Sequence, residues 1–216
     1  MWPYFLAVLW LALILLGAEV LRWSQVNPEW VRKFVHIGAG NIILLAWGAH
    51  FPLWVCVVFC GLFVGLTLLS YRLPILRSIN GVGRRSLGTF YYALSFLLLI
   101  SIFWTLRLPE FAVLGILVMT WGDSLAAIFG QKYGTHRYIV GSVQKTVEGT
   151  TVMALVSTAV SFAVLVGSHG FQPELLGVSL GIGLVAAGLE VFSQGGIDNL
   201  TVPLGSALLA WLWVGG

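Results

Sequence analysis

Five polar side chains of a strongly apolar chain have the types and positions to do chemistry: Asp123, Lys145, Glu148, Asp198 and Asn199. Carboxylates, an ammonium and an amide are the groups that hold a divalent cation, neutralise phosphate and orient or deprotonate a hydroxyl. Asp123 lies within a segment that is apolar from Phe111 to Phe129. An ionised carboxylate in such surroundings costs several kcal/mol unless a cation, a metal or a water-filled cavity faces it, so it marks a functional position by default. Lys145 and Glu148 stand three apart where the next apolar segment begins, and on a helix that spacing puts them on one face. Ser142 is the expected N-cap of this helix, with Lys145 and Glu148 in its first turns, where free N–H groups and the positive end of the dipole favour phosphate. Lys145 then neutralises phosphate and Glu148 holds Mg²⁺; the alternative is an i,i+3 salt bridge, which is compatible with that role. Asp198 or Asn199 caps the last helix, and the other, with Glu190 nearby, is left for a metal or a substrate hydroxyl.

A second ring of residues has the charge or the backbone freedom to bind an anion. Lys33 and His36 share a helical face and suit phosphate, set against the plainer reading of a topological anchor and a hydrogen-bonded histidine. The loop QKYGTHRYIVGSVQ places Gly134 and Gly141 where backbone N–H groups can meet an anion, with Lys132, Arg137 and Lys145 as counter-charges. Loop 131–147 is therefore expected to form part of a nucleotide site. It does not match the Walker pattern, and no strand pattern precedes it. Cys56 and Cys60 are one turn apart in an apolar span and read as packing residues.

The elements that hold these groups are membrane helices. With 59% hydrophobic residues, 9% charged residues and a mean hydropathy of +0.97, the 216-residue chain cannot present an ordinary polar surface to water. Eight apolar runs are candidates for spans: 3–21, 34–50, 52–71, 88–106, 110–130, 147–167, 174–192 and 199–214. The second is short and contains Asn41; merging it with the third leaves seven. The expected fold is an all-α, polytopic helix bundle of seven to eight spans forming one transmembrane domain over 1–216. The start MWPYFLAVLW lacks the features of a cleaved signal peptide and reads as the first span. With eight spans and an outside N-terminus, ten of the eleven Lys and Arg residues fall inside, and only Arg107 outside. The same orientation brings Asp123, Glu148, Glu190 and Asp198 to the inner ends of their helices, the side on which cytosolic nucleotide and Mg²⁺ are available. The basic loop with Arg72, Arg77, Arg84 and Arg85 reads as an anchor beside headgroups or phosphates. No RNA- or DNA-binding pattern is present. Gly122, Ala126 and Gly130 form a small-residue stripe along which another helix can pack closely, so Asp123 beside it faces protein or a cavity rather than lipid.

RKFVHIGAG, GDSLAAIFGQKYG, KTVEGT and IDNLTVP, in that order between Arg32 and Pro203, resemble the motifs of the membrane lipid-alcohol kinases that use CTP. These are the phytol, dolichol and CTP-dependent diacylglycerol kinases, and the size of the chain and its GTFYYALS segment look most like the phytol kinase branch. The resemblance implies transfer of the γ-phosphoryl group of CTP to a prenyl alcohol, phytol or a relative such as geranylgeraniol, with Mg²⁺ as cofactor. The motif positions Asp123, Lys145, Glu148, Asp198 and Asn199 inherit function: Asp123 and Glu148 on Mg²⁺, Lys145 on the β/γ-phosphates, and Asp198 orienting or deprotonating the alcohol with Asn199. It further implies an active site on the cytoplasmic side of a plasma or thylakoid membrane, and leaves homodimerisation open. Two rivals differ in class. A membrane cytidylyltransferase shares an acidic GxxFG-type stretch, a KTxEG element and a Gly-Gly-x-x-Asp near its end, but here the longer basic-and-acidic run expected before that last element is missing, no second Asp follows Asp198, and the chain is short. A transporter would use Asp123 and Glu190 for a coupling ion, but the acidic residues cluster at one face and no internal repeat is present.

Overall fold

The computed structural model describes residues 2–70 and 87–215. The basic loop with Arg72, Arg77, Arg84 and Arg85 lies outside the described residues. The first helix, α1 (Trp2–Trp23), is uniformly apolar and leaves most of its surface to lipid, with Trp2, Phe5, Leu13 and Leu16 all exposed. One polar contact ties it to its neighbour, the Trp10 Nε1–H donating to the Gly38 carbonyl at 2.8 Å. Helix α2 (Pro28–Gly40) starts as its sequence dictates. The Asn27 side chain accepts from the Glu29 N–H at 2.9 Å and Pro28 occupies the first helical position, where its missing N–H is no loss.

The run 34–50 does not form one span. It breaks at Asn41 and resumes as the short α3 (Ile42–Gly48). The cause is the polar residue that weakened the run in the sequence: Asn41 Oδ1 accepts from Trp121 Nε1 at 3.1 Å, so the side chain serves a tertiary contact. Helices α4 (Leu53–Ser70) and α5 (Gly88–Thr105) come next. Cys56 and Cys60 on α4 are free thiols, and Cys56 packs in the core.

The centre of the bundle is the rod Pro109–Tyr133. It comprises α6 (Pro109–Leu117), a π-helical stretch (Val118–Asp123) and α7 (Ser124–Tyr133). All of Phe111 to Leu117 is buried, and Phe111, Ile116 and Met119 pack with Leu99 and Phe103 of α5 as fully buried side chains. A π turn carries one more residue per turn than an α-helix and shifts the angular register of the residues beyond it. Here it ends on Asp123.

Residues 137–146 form a two-stranded antiparallel hairpin, β1 (Arg137–Val140) and β2 (Val143–Thr146), in register Tyr138 with Lys145. The expectation of a helix starting at Ser142 is thereby corrected. Ser142 lies in the hairpin turn beside Gly141, whose φ of +59° is a left-handed conformation. The cap is Thr146, whose side chain accepts from the Gly149 N–H at 3.1 Å, and α8 (Val147–His169) begins there. Helices α9 (Glu174–Val191) and α10 (Asp198–Val214) complete the fold. The small-residue stripe of α7 meets α8 as expected: a Cβ on Gly122 would strike Met153 and Ser157, and one on Gly130 would meet Thr146 and the Gly149 backbone.

The architecture is the all-α membrane bundle read from the sequence. Among the described residues, six helical stretches are long and apolar enough to cross a bilayer. The difference from the expected seven to eight lies in the broken 34–50 run and in α10, which is apolar and 17 residues long.

Candidate active site

Three separate pieces of chain meet around Asp123, namely α2, the π stretch and the start of α10, and the hairpin reaches the last of these through Lys145. Lys33 reaches from α2 to form an ion pair with Asp123, and both side chains are largely buried, at 3% and 15% exposure. Its ammonium also lies 3.4 Å from the Asp123 carbonyl. His36, one helical turn on, places Nε2 3.9 Å from the same carboxylate. That nitrogen is buried and has no hydrogen-bond partner among the described residues. A buried polar atom left unpaired is costly, which makes it a natural point for a ligand to enter.

Tyr92 of α5 holds the histidine. The two rings stack with centroids 4.0 Å apart, the Tyr92 hydroxyl donates to the His36 carbonyl at 3.0 Å, and it shares a further hydrogen bond of 3.0 Å with Thr120. Only glycine fits at position 40 in this arrangement, because a Cβ there would overlap Thr120 Oγ1 and Tyr92 Oη. Asp198 lies within electrostatic reach of Asp123, Lys33 and Lys145, and Arg32 within reach of both aspartates. Arg32 itself is bonded to Glu29 at 2.5 Å. Burial of Glu29 opposes ionisation, but the guanidinium outweighs it and holds the carboxyl below its usual range.

The start of α10 is built locally. The Asp198 N–H donates to Ser193 Oγ at 2.7 Å, and Asp198 Oδ1 accepts from the Asn199 N–H at 3.0 Å and from Asn199 Nδ2 at 3.2 Å. Ile197, not Asp198 or Asn199, is the N-cap residue. The asparagine is buried and fixes the carboxylate beside it. Lys145 is on β2, and its ammonium bonds the Glu190 carboxylate at 2.5 Å and the Glu190 carbonyl, clamping the hairpin onto the end of α9.

The structure thus brings Asp123, Lys33, His36, Lys145, Asp198 and Asn199 to one region, and corrects the placement of three others. Glu148 does not share a helical face with Lys145, since Lys145 precedes the helix as a strand residue. Its carboxylate accepts from Thr135 N–H at 3.0 Å, Thr135 Oγ1 at 2.6 Å and His136 N–H at 3.1 Å, and sits 2.9 Å from His136 Nδ1, so it ties down the 135–136 turn. Gly134 does not offer its N–H to an anion, because that group donates to the Gly130 carbonyl at 3.1 Å. Lys132 is exposed and lies over the Tyr133 ring. The first N–H groups of α8 are also engaged, Val147 with the His136 carbonyl and Gly149 with Thr146.

Tyr92 is a site residue with no local signal in the sequence, since its partners His36 and Thr120 lie 56 and 28 positions away. Among the described residues no group of three or more His, Cys, Asp or Glu side chains forms a preformed metal cage. Mg²⁺ needs less than that, commonly one or two carboxylates together with substrate phosphates and water, and the neighbouring Asp123 and Asp198 carboxylates fit that requirement.

The chain is 50% identical over 216 residues to a protein named phytol kinase from Synechocystis sp., an alignment covering 97% of this chain and 92% of the relative. It is 28% identical to a probable phytol kinase 2, chloroplastic, of Oryza sativa, covering 94% of this chain and 72% of that one. A farnesol kinase, chloroplastic, of Arabidopsis thaliana is 29% identical, over 90% of this chain and 68% of the relative. No family model matches the chain, and no solved structure matches it.

Proposed function

The chain belongs to the phytol kinase family, and we propose that it phosphorylates phytol or a closely related prenyl alcohol at a membrane surface, with CTP as donor and Mg²⁺ as cofactor. The observation that carries this reading is the meeting of Lys33, His36, Asp123 and Asp198, two cations or potential cations and two carboxylates from three elements, at one end of an apolar bundle. Phosphoryl transfer asks little covalent chemistry of a protein. It needs in-line positioning and neutralisation of charge on the phosphates.

Each role rests on the surroundings of its residue. Lys33 and Lys145, each now paired with a carboxylate, hold phosphate oxygens when the donor binds. His36 Nε2, buried and unpaired, is a hydrogen-bond partner for the reacting group. Asp198, fixed by Asn199 and set among Asp123, Lys33 and Lys145, orients the alcohol and accepts its proton. Asp123 and Asp198 are the carboxylates that would hold Mg²⁺, which supplies neutralisation of the donor's phosphate oxygens. Glu148, the Gly134 region and Lys132 belong to loop 131–147, which shapes the nucleotide site from outside. The site faces the cytoplasmic side of a plasma or thylakoid membrane, in keeping with the distribution of basic residues.

The test uses purified protein in nanodiscs with Mg²⁺ and γ-labelled CTP or ATP, offered phytol, geranylgeraniol, dolichol and diacylglycerol. Label passing from CTP to phytol with release of CDP is the expected result. Release of pyrophosphate instead would make the chain a cytidylyltransferase.

A further inference from the structure

Beside the charged centre the bundle contains an apolar groove bounded by α1, the α2–α3 break, α4 and α5. Its volume is about 200 Å³, and its walls include Ala39, Ile43, Cys56, Phe59, Phe63 and Phe96. One wall is shared with the site: Tyr92 lines the groove and stacks on His36, whose Nε2 is 3.9 Å from the Asp123 carboxylate. The hydroxyl of Tyr92 is occupied by the His36 carbonyl and Thr120, so the ring offers the groove an apolar face. At the far end Tyr4 and Phe51, also lining residues, come together with ring centroids 4.8 Å apart.

We propose that this groove binds the isoprenoid chain of the alcohol by its head end, seating the units next to the hydroxyl between α4 and α5 and leaving the rest of the tail in lipid. The proposal rests on the kinase reading above and names the part of the substrate that the protein reads. Three features support it. The groove adjoins the reacting centre, with the Tyr92 ring as the wall they share, so an alcohol lying in it has its hydroxyl end beside the part of the bundle that holds His36 and Asp123. The lining is apolar and branched or aromatic, matching a methyl-branched hydrocarbon and giving a charged headgroup no partner.

The third feature is size. The stretch of α5 from Tyr92 to Ile100 that lines the groove rises about 12 Å. A dry apolar cavity of about 150 Å³ accepts a benzene ring, so a groove of 200 Å³ takes roughly two isoprenoid units by the same measure and not a whole phytyl chain. Selection then falls on branching near the hydroxyl rather than on total length, and a relative named for the shorter alcohol farnesol is in keeping with that.

Two phytol analogues carrying a photoreactive diazirine, one on the second isoprenoid unit and one at the tail end, test this on the full chain in nanodiscs, with no turnover required. The head-end probe is expected to label the buried lining residues Ile43 or Phe96, with unlabelled phytol and farnesol competing and excess phospholipid not. The tail-end probe is expected to label lipid-facing side chains such as Leu62. Labelling by the head-end probe spread over exposed faces, or displaced equally by phospholipid, overturns the proposal and makes the groove an ordinary lipid crevice. Cys60→Trp, which fills the groove from a partly exposed position, should raise KM for phytol about tenfold and leave KM for the nucleotide unchanged; equal KM values would count against the groove. A wild-type protein that labels in the groove but phosphorylates no alcohol would sink the kinase reading and spare the binding site.

Discussion

Asp123 and Glu148 look alike in the sequence, each an acidic residue at the edge of a membrane segment within a recognisable motif, yet they are held by opposite means. Asp123 is met by side-chain cations: Lys33 pairs with it from a helix 90 positions away in the chain, and His36 and Arg32 stand close by. Glu148 is met mainly by the N–H and hydroxyl donors of a turn 12 to 13 residues away. A carboxylate satisfied by side chains from another helix can exchange them for a metal or a substrate. One satisfied by a turn's own backbone is part of the fold. The contrast separates a reacting group from a fastener of similar appearance.

The largest effect should come from Asp123→Asn, with kcat/KM falling about 10³-fold in protein whose thermal unfolding shows it to be folded; near-normal activity would remove Asp123 from the site. Lys33→Ala strands a buried carboxylate, so stability should fall by about 3 kcal/mol, read as a lower midpoint of denaturation. Adding Asp123→Asn to Lys33→Ala removes the unpaired charge and should restore much of the stability but none of the activity. A Lys33 that matters only to packing would show no such recovery. Lys145→Ala comes next, expected to raise KM for the nucleotide about tenfold more than KM for the alcohol, since Lys145 reaches the site from the hairpin. Glu148→Gln should be the mildest, changing kcat/KM within about threefold while increasing amide exchange at Thr135 and His136. A loss matching that of Asp123→Asn would erase the distinction and return Glu148 to the metal site.

The class of fold was legible because hydropathy responds to composition, and this chain is strongly apolar. The buried aspartate was legible for the same reason: Asp123 is conspicuous within Phe111–Phe129. What the sequence hid was pairing. Nothing local says that Lys145 turns toward Glu190, 45 residues on, or that His36 needs Tyr92. The hairpin was hidden too, because β1 and β2 are four residues each and a polar loop with two glycines gives little alternation to read. The mistaken helix start at Ser142 has a simple cause. Ser142 and Thr146 are both good N-caps, and only the hairpin preceding Thr146 decides between them. Asn41 was seen as a weak point but not as a break, since its partner Trp121 lies 80 residues distant.

The π stretch Val118–Asp123 also sets where the central rod can change length. One residue added to a straight helix turns everything beyond it by about 100° around the axis, enough to carry a side chain from one neighbouring helix to the next. The wide turn of the π stretch absorbs such a residue, so removing one from Val118–Gly122 would close the rod to a plain α-helix and leave Asp123 on the side of Lys33. Removing one from the plain α-helical stretch Pro109–Leu117 would instead turn Asp123 onto a different neighbour, so the charged centre tolerates a change of length at one place in the rod and not at the other.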